Sequence, residues 1–138
     1  MTEAEAKKID EDSKEFFGVR DLDEAEHCFT NIPLQHHFRL IDKLVSSAIE
    51  SKEADAKLVA DLLVRATKKD LCSAAAFEEG FVPIAEMLDD IVIDAPKAFD
   101  LMAIMVNGAG LDEERRVCIA SKSVDNSERL LALLSQFP

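Results

Sequence analysis

Tryptophan and tyrosine are missing from this chain, and its eight aromatic residues are all phenylalanine. Rings that stack on bases while keeping a polar edge in water are therefore absent, and the phenylalanines read as core material. Basic residues are few: 16 Lys and Arg stand against 28 Asp and Glu, a net charge of -12. Such a balance repels phosphate backbones and lipid headgroups and favours a partner that is basic where it touches. Direct nucleic-acid or membrane binding is not expected. Cysteine is scarce as well. Cys28, Cys72 and Cys118 are odd in number, far apart and form no CxxC pair; neither a disulfide framework nor a zinc site is indicated, and a reducing compartment fits. No apolar run approaches the roughly 20 residues of a membrane span, and the first residues are charged where a signal peptide has its apolar segment. A cytoplasmic protein, or a monomeric domain of a larger cytoplasmic protein, is the expectation.

What is present points to helices. Apolar residues recur at intervals of three and four, and the alternation of a half-buried strand appears nowhere. The pattern predicts a first helix over residues 3–17 that packs weakly at one edge and is broken by Gly18. A second opens on Asp21-Leu22-Asp23-Glu24, which has the form of a capping box. Asn31-Ile32-Pro33 starts a third, with Leu34, Phe38, Ile41, Val45 and Ala48 on one face. Leu58, Val59, Leu62, Leu63 and Ala66 mark a fourth, and Phe77, Phe81, Ile84 and Leu88 a fifth, over about residues 71–90, interrupted by Gly80 and kinked at Pro83. The sixth, residues 96–107, is apolar nearly all round and therefore central. Gly108-Ala109-Gly110 ends it through left-handed conformations. Asp112 caps a seventh, and an eighth carries Leu130, Leu131, Leu133, Leu134 and Phe137. Short polar turns between such helices imply antiparallel neighbours, so the expected fold is all-α, about four stacked helical hairpins of the HEAT type within one domain.

Between the fifth and sixth helices lies Asp89-Asp90-Ile91-Val92-Ile93-Asp94-Ala95-Pro96, read as an acidic junction. Pro96 suits the first turn of the sixth helix, and Asp94, two residues earlier, suits its N-cap. Asp89 and Asp90 would then sit at the C-terminal end of the fifth helix, where a negative charge opposes the dipole at a cost of about 0.3–1 kcal/mol each. Stability does not ask for them, and exposed carboxylates of this kind meet Arg or Lys through charge-assisted hydrogen bonds.

Three stretches together resemble a known family. The run Asp21-Leu22-Asp23-Glu24-Ala25-Glu26-His27-Cys28, the run Glu79-Gly80-Phe81 leading through Ile84 to Leu88, and the junction Asp90 to Pro96 are similar to the MA-3 domain over roughly residues 7–121. That family is found in the translation initiation scaffold called factor 4-gamma and, in tandem, in programmed cell death protein four; a single copy of the domain is nearer to the scaffold arrangement. The resemblance implies a protein-binding module of translation initiation. It implies as partner the DEAD-box RNA helicase eukaryotic initiation factor 4A, whose basic residues would meet Asp90 and Asp94, with Pro96 shaping the loop and Asp89 beside it. Whether the helicase is activated, as for the scaffold, or inhibited is open at this point. Pro83 and residues 123–138, which form a C-terminal extension, depart from the family pattern.

Other chemistries have less to stand on. Asp89, Asp90 and Asp94 also suggest a magnesium-binding motif of a diphosphate enzyme, but that needs a second acidic cluster and an unbroken helix, which Pro96 denies. His36 and His37 point about 100° apart on one helix and His27 lies on another, so they read as surface or rim residues and not as ligands of one ion. Met102 and Met105 read as core filler, and Cys28 and Cys118 as small buried apolar residues. No nucleophile, base and orienting group assemble. The expectation is a protein that is not an enzyme, with no metal or cofactor.

Overall fold

Eight α-helices succeed one another in the computed structural model, which describes residues 3–123 and 126–135. They are α1 (Glu3–Val19), α2 (Leu22–Thr30), α3 (His37–Ile49), α4 (Glu53–Lys68), α5 (Ala74–Asp94), α6 (Ala98–Gly108), α7 (Glu113–Ser121) and α8 (Ser127–Ser135), with a 3-10 turn at Leu34–His36 leading into α3. There is no strand among the described residues. Each helix packs on the one two places along: α1 on α3, α2 on α4, α3 on α5, α4 on α6, α5 on α7 and α6 on α8. The two helices of each hairpin, α1–α2, α3–α4, α5–α6 and α7–α8, also touch. The molecule is thus a stack of helical hairpins, with odd-numbered helices in one layer and even-numbered helices in the other, as the sequence periodicity predicts.

The core lies between the layers. Phe29, Phe77, Phe81 and Phe99 are its largest fully buried side chains, packed with Leu40, Ile41, Leu44, Leu62, Leu63, Leu88 and Met102. The all-round apolar character of α6 is explained by its neighbours, since α3, α4, α5 and α8 all pack on it. Met102 and Met105 are fully buried there, as core filler should be. Phe137 lies outside the described residues.

Glycine sets the closest approach between layers. A Cβ on Gly80 would stand 2.6 Å from Ile41 Cβ and 2.8 Å from the Phe38 carbonyl oxygen, so α3 and α5 meet where only a hydrogen fits. Gly80 therefore does not interrupt α5 as expected; it is a contact point inside it. Pro83 does not break the helix either. Both Pro83 and Glu79, whose carbonyl loses its usual amide donor to the proline ring, are on the solvent side, where water replaces the missing bond.

Helix ends differ from the expectation in instructive ways. Helix α1 runs through Gly18 to Val19, and the left-handed residue that turns the chain is Arg20, with φ 61°. It is less peripheral than expected, because it buries Ile9, Ser13 and Phe16 and is tied to α3 by a Lys43–Asp10 ion pair of 3.0 Å. Half of the predicted capping box forms: Asp21 Oδ1 accepts from the amides of Asp23 at 2.9 Å and Glu24 at 3.4 Å, while the Glu24 side chain stays exposed. Pro33 precedes a 3-10 turn and not α3 itself, which leaves Leu34 80% exposed and off the apolar face. After α6 only Gly110 is left-handed, with φ 67°; Gly108 ends the helix and Ala109 is right-handed. Asp112 caps α7 as predicted, accepting from the Arg115 amide at 2.9 Å.

One buried charge holds the first two hairpins together. Asp55, 7% exposed at the start of α4, accepts from Ser51 Oγ at 2.5 Å and from the Arg20 guanidinium at 2.7 Å. The Ser51 hydrogen bond, more than Arg20, holds its carboxyl below the ordinary value of 3.8 although burial opposes this. A carboxyl depressed on folding adds stability that is fully present above its unfolded pKa and is lost as pH falls through the folded one. Asp55→Asn is accordingly expected to lower the thermal midpoint at neutral pH, and the gap to wild type should shrink as melts are repeated at pH below 3.8; a gap that stays constant would assign the loss to something other than the charge.

Candidate functional site

The residues 89–96 are not a loop. Helix α5 continues through Ile91, Val92 and Ile93 and ends at Asp94. Its end is set by Pro96, because the residue before a proline is pushed out of the helical region; Ala95 has φ -127° and ψ 83°. Pro96 itself lies in the turn before α6 and not within its first helical turn. The N-cap of α6 is Lys97, without a side-chain cap, and α6 begins at Ala98. Asp94 therefore does not cap α6. It is the residue that sits at the C-terminus of α5 against the dipole, the position expected for Asp89 and Asp90, and Asp90 lies one turn inside.

This continuation places the acidic residues on one helical face. At 3.6 residues per turn, Glu79, Pro83, Glu86, Met87, Asp90, Ile93 and Asp94 fall within an arc of about 120°, and all seven are exposed. Among them Met87 is 52% and Ile93 76% exposed. The face carries carboxylates and apolar side chains and no cation. Elsewhere three basic residues are committed to pairs between packed segments: Arg65 with Asp23 and Glu26, Lys69 with Glu26, and Arg115 with Glu78. Among the described residues, Asp90 and Asp94 have no such counter-ion.

Asp89 behaves differently. Its Oδ1 accepts from Asn126 Nδ2 at 2.5 Å and from Ser123 Oγ at 3.2 Å, with Ser123 fully buried. The three aspartates thus divide into two that face solvent and one that is held by the connection between α7 and α8.

Sequence reasoning missed Glu50. It is the exposed C-cap residue of α3, and it lines a groove of about 400 Å³ together with Asp90, Ile91, Asp94 and Ala95. The packing of α3 on α5, closed down at Gly80, brings Glu50 to this groove from 40 residues away in the chain. No local motif announces it. The result is a shallow site with three carboxylates around an apolar floor of Ile91 and Ala95, suited to a guanidinium or ammonium group carried on an apolar stem.

The histidines do not form a site. His37 is buried, not at the rim, with Nε2 2.6 Å from the Phe29 carbonyl oxygen and 3.1 Å from that of Ile32. It fastens α3 to the end of α2. His36 Nε2 is 3.0 Å from Glu5 Oε2. Among the described residues no three His, Cys, Asp or Glu side chains are grouped to hold a metal ion, and no helix is long and apolar enough to cross a membrane. Cys72 is the buried cysteine, its thiol pushed up to about 12 by burial, while Cys28 and Cys118 are only partly covered.

The structure is thus an all-helical domain with an exposed acidic face on α5. The MA3 domain family model matches residues 6–111, and the chain belongs to the MA3 domain family. It is 30% identical over 116 residues to MA3 domain-containing translation regulatory factor 1 of Arabidopsis thaliana, a match that covers 80% of this chain and 16% of that protein. It is 29% identical over 98 residues to programmed cell death protein 4 of Homo sapiens, covering 70% and 21%. To eukaryotic translation initiation factor 4G of Arabidopsis thaliana it is 31% identical over 93 residues, covering 64% and 5%. The chain spans at most about a fifth of the length of these relatives. Helices α7 and α8 follow the matched segment and pack on α5 and α6.

Proposed function

We propose that this MA3 domain is a protein-binding module of translation initiation that holds the DEAD-box RNA helicase eukaryotic initiation factor 4A against the outer face of α5. Asp90, Asp94 and Glu50 receive basic side chains of the helicase, Met87 and Ile93 supply the apolar contact, and Pro96 fixes where the helix stops. Asp89 acts from behind, by anchoring this end of α5 to the α7–α8 connection. The observation that carries the reading is the convergence of Glu50, Asp90 and Asp94 on one groove, with no ion pair to any of them among the described residues. The translation names of the relatives supply the biological setting. Binding one arrangement of a two-domain helicase better than the other biases its cycle, and ATPase rates with and without the module show the direction. The module itself needs no catalytic group.

Salt gives the first test. Complexes steered by opposite charges associate more slowly as ionic strength screens them, with a Debye length of about 10 Å at 0.1 M. Stopped-flow association of the chain with the purified helicase should slow at least tenfold between about 0.05 and 0.5 M salt, most of the change lying in the on-rate. A flat response would point to an apolar interface elsewhere on the surface.

A further inference from the structure

A second concavity is far from α5 in the chain, between α1 and α2. It encloses about 360 Å³ and is lined by Asp12, Glu15, Phe16 and Val19 from α1 and by Asp21, Glu24, Ala25, His27, Cys28 and Asn31 from the α2 segment. The two walls repeat one pattern. On each, two acids three residues apart are followed by apolar residues one and four positions later: Asp12, Glu15, Phe16, Val19, then Asp21, Glu24, Ala25, Cys28. At these intervals the first set lies along one side of α1, and Glu24, Ala25 and Cys28 lie along one side of α2 with Asp21 as its N-cap. Phe16 and Ala25 are buried as the floor, Cys28 is partly covered, and Val19 remains 56% exposed at the end of α1.

Charge in the groove is poorly compensated. Asp21 is engaged by backbone amides, but Asp12, Glu15 and Glu24 make no ion pair among the described residues. Burial raises the Asp12 carboxyl, with Lys8 offsetting part of this and Glu15 and Glu11 adding to it. The same surroundings push the Cys28 thiol up to about 11, through burial first and then Asp12 and Glu15.

We infer that the α1–α2 groove is a second docking surface, taking a basic amphipathic helix of a partner protein. Its walls run about two helical turns, or roughly 10 Å, the span over which anchors at i, i+3, i+4 and i+7 enter an apolar groove. The apolar anchors rest on Phe16, Val19 and Cys28, while flanking lysines or arginines meet Asp12, Glu15 and Glu24. Charge decides the occupant: a second copy of this chain, at -12, is repelled, and a basic helix is attracted. The groove is independent of the α5 face, so a partner bound here leaves Asp90 and Asp94 free.

The test uses a synthetic helical peptide of about 14 residues with leucines at i, i+3, i+4 and i+7 and lysines between them, and a scrambled peptide of equal composition without the stripe. Each is titrated into the isotope-labelled chain and followed by amide chemical shifts. The striped peptide should perturb residues 12–31 most and bind at least tenfold tighter than the scrambled one. Glu15→Gln with Glu24→Gln, both at exposed positions, should weaken it about tenfold. Val19→Glu gives a sharper sign: the proposal expects at least fivefold weaker binding although the variant adds a negative charge. Equal affinity for both peptides, tighter binding by Val19→Glu, perturbation centred on residues 86–96, or no binding at millimolar peptide would each overturn the assignment.

Discussion

Alanine at both Asp90 and Asp94 is expected to weaken binding of initiation factor 4A by about 2 kcal/mol or more, roughly thirtyfold, which is the order seen when charged partners at an interface lose one member. The same double variant should fold at least as well as wild type. Asp94 ends α5 against its dipole, at a cost of about 0.3–1 kcal/mol, and Asp90 and Asp94 are like charges one turn apart, costing about 0.2–0.5 kcal/mol more. Calorimetric titration and thermal melts of the same sample separate the two effects: affinity should drop while the melting midpoint holds or rises. A midpoint that falls with the affinity would make these residues structural. Glu50→Ala should weaken binding further when added to the pair, since it reaches the same groove from α3.

Phe99→Ala is expected to cost about 3–5 kcal/mol, a large part of the stability of an ordinary domain. The ring is fully buried on α6, the helix on which α3, α4, α5 and α8 all pack. The Arg129 guanidinium of α8 also lies 4.8 Å from its centroid. Truncation leaves a cavity at the point shared by several hairpins, so the loss should appear as one cooperative shift of the urea midpoint with an unchanged slope. A loss below 1 kcal/mol would mean that α6 is not the central helix described.

The helices with strong apolar periodicity were legible in the chain because burial of one face dictates the repeat. Helix α3 from Leu40 to Ile49 and the all-apolar α6 are the clearest cases. At the end of α5 two local signals disagree: three aspartates around Ile91, Val92 and Ile93 look like a junction, whereas the steric effect of Pro96 on Ala95 allows helix through Asp94. The steric rule prevailed, with Ile91 and Val92 packed against the core. Propensity alone disfavours Gly80 in a helix and so marks it as a break; its contact with Ile41 and Phe38 is a property of the α3–α5 crossing. Glu50 and the burial of His37 were invisible for the same reason, as each depends on which helix lies opposite.

The most direct measurement is hydrogen exchange of the full chain with and without initiation factor 4A. The account predicts that the complex slows exchange in residues 86–98 and around Glu50, with the α1–α2 groove unchanged. Protection confined to other helices, or none at saturating helicase, would contradict it.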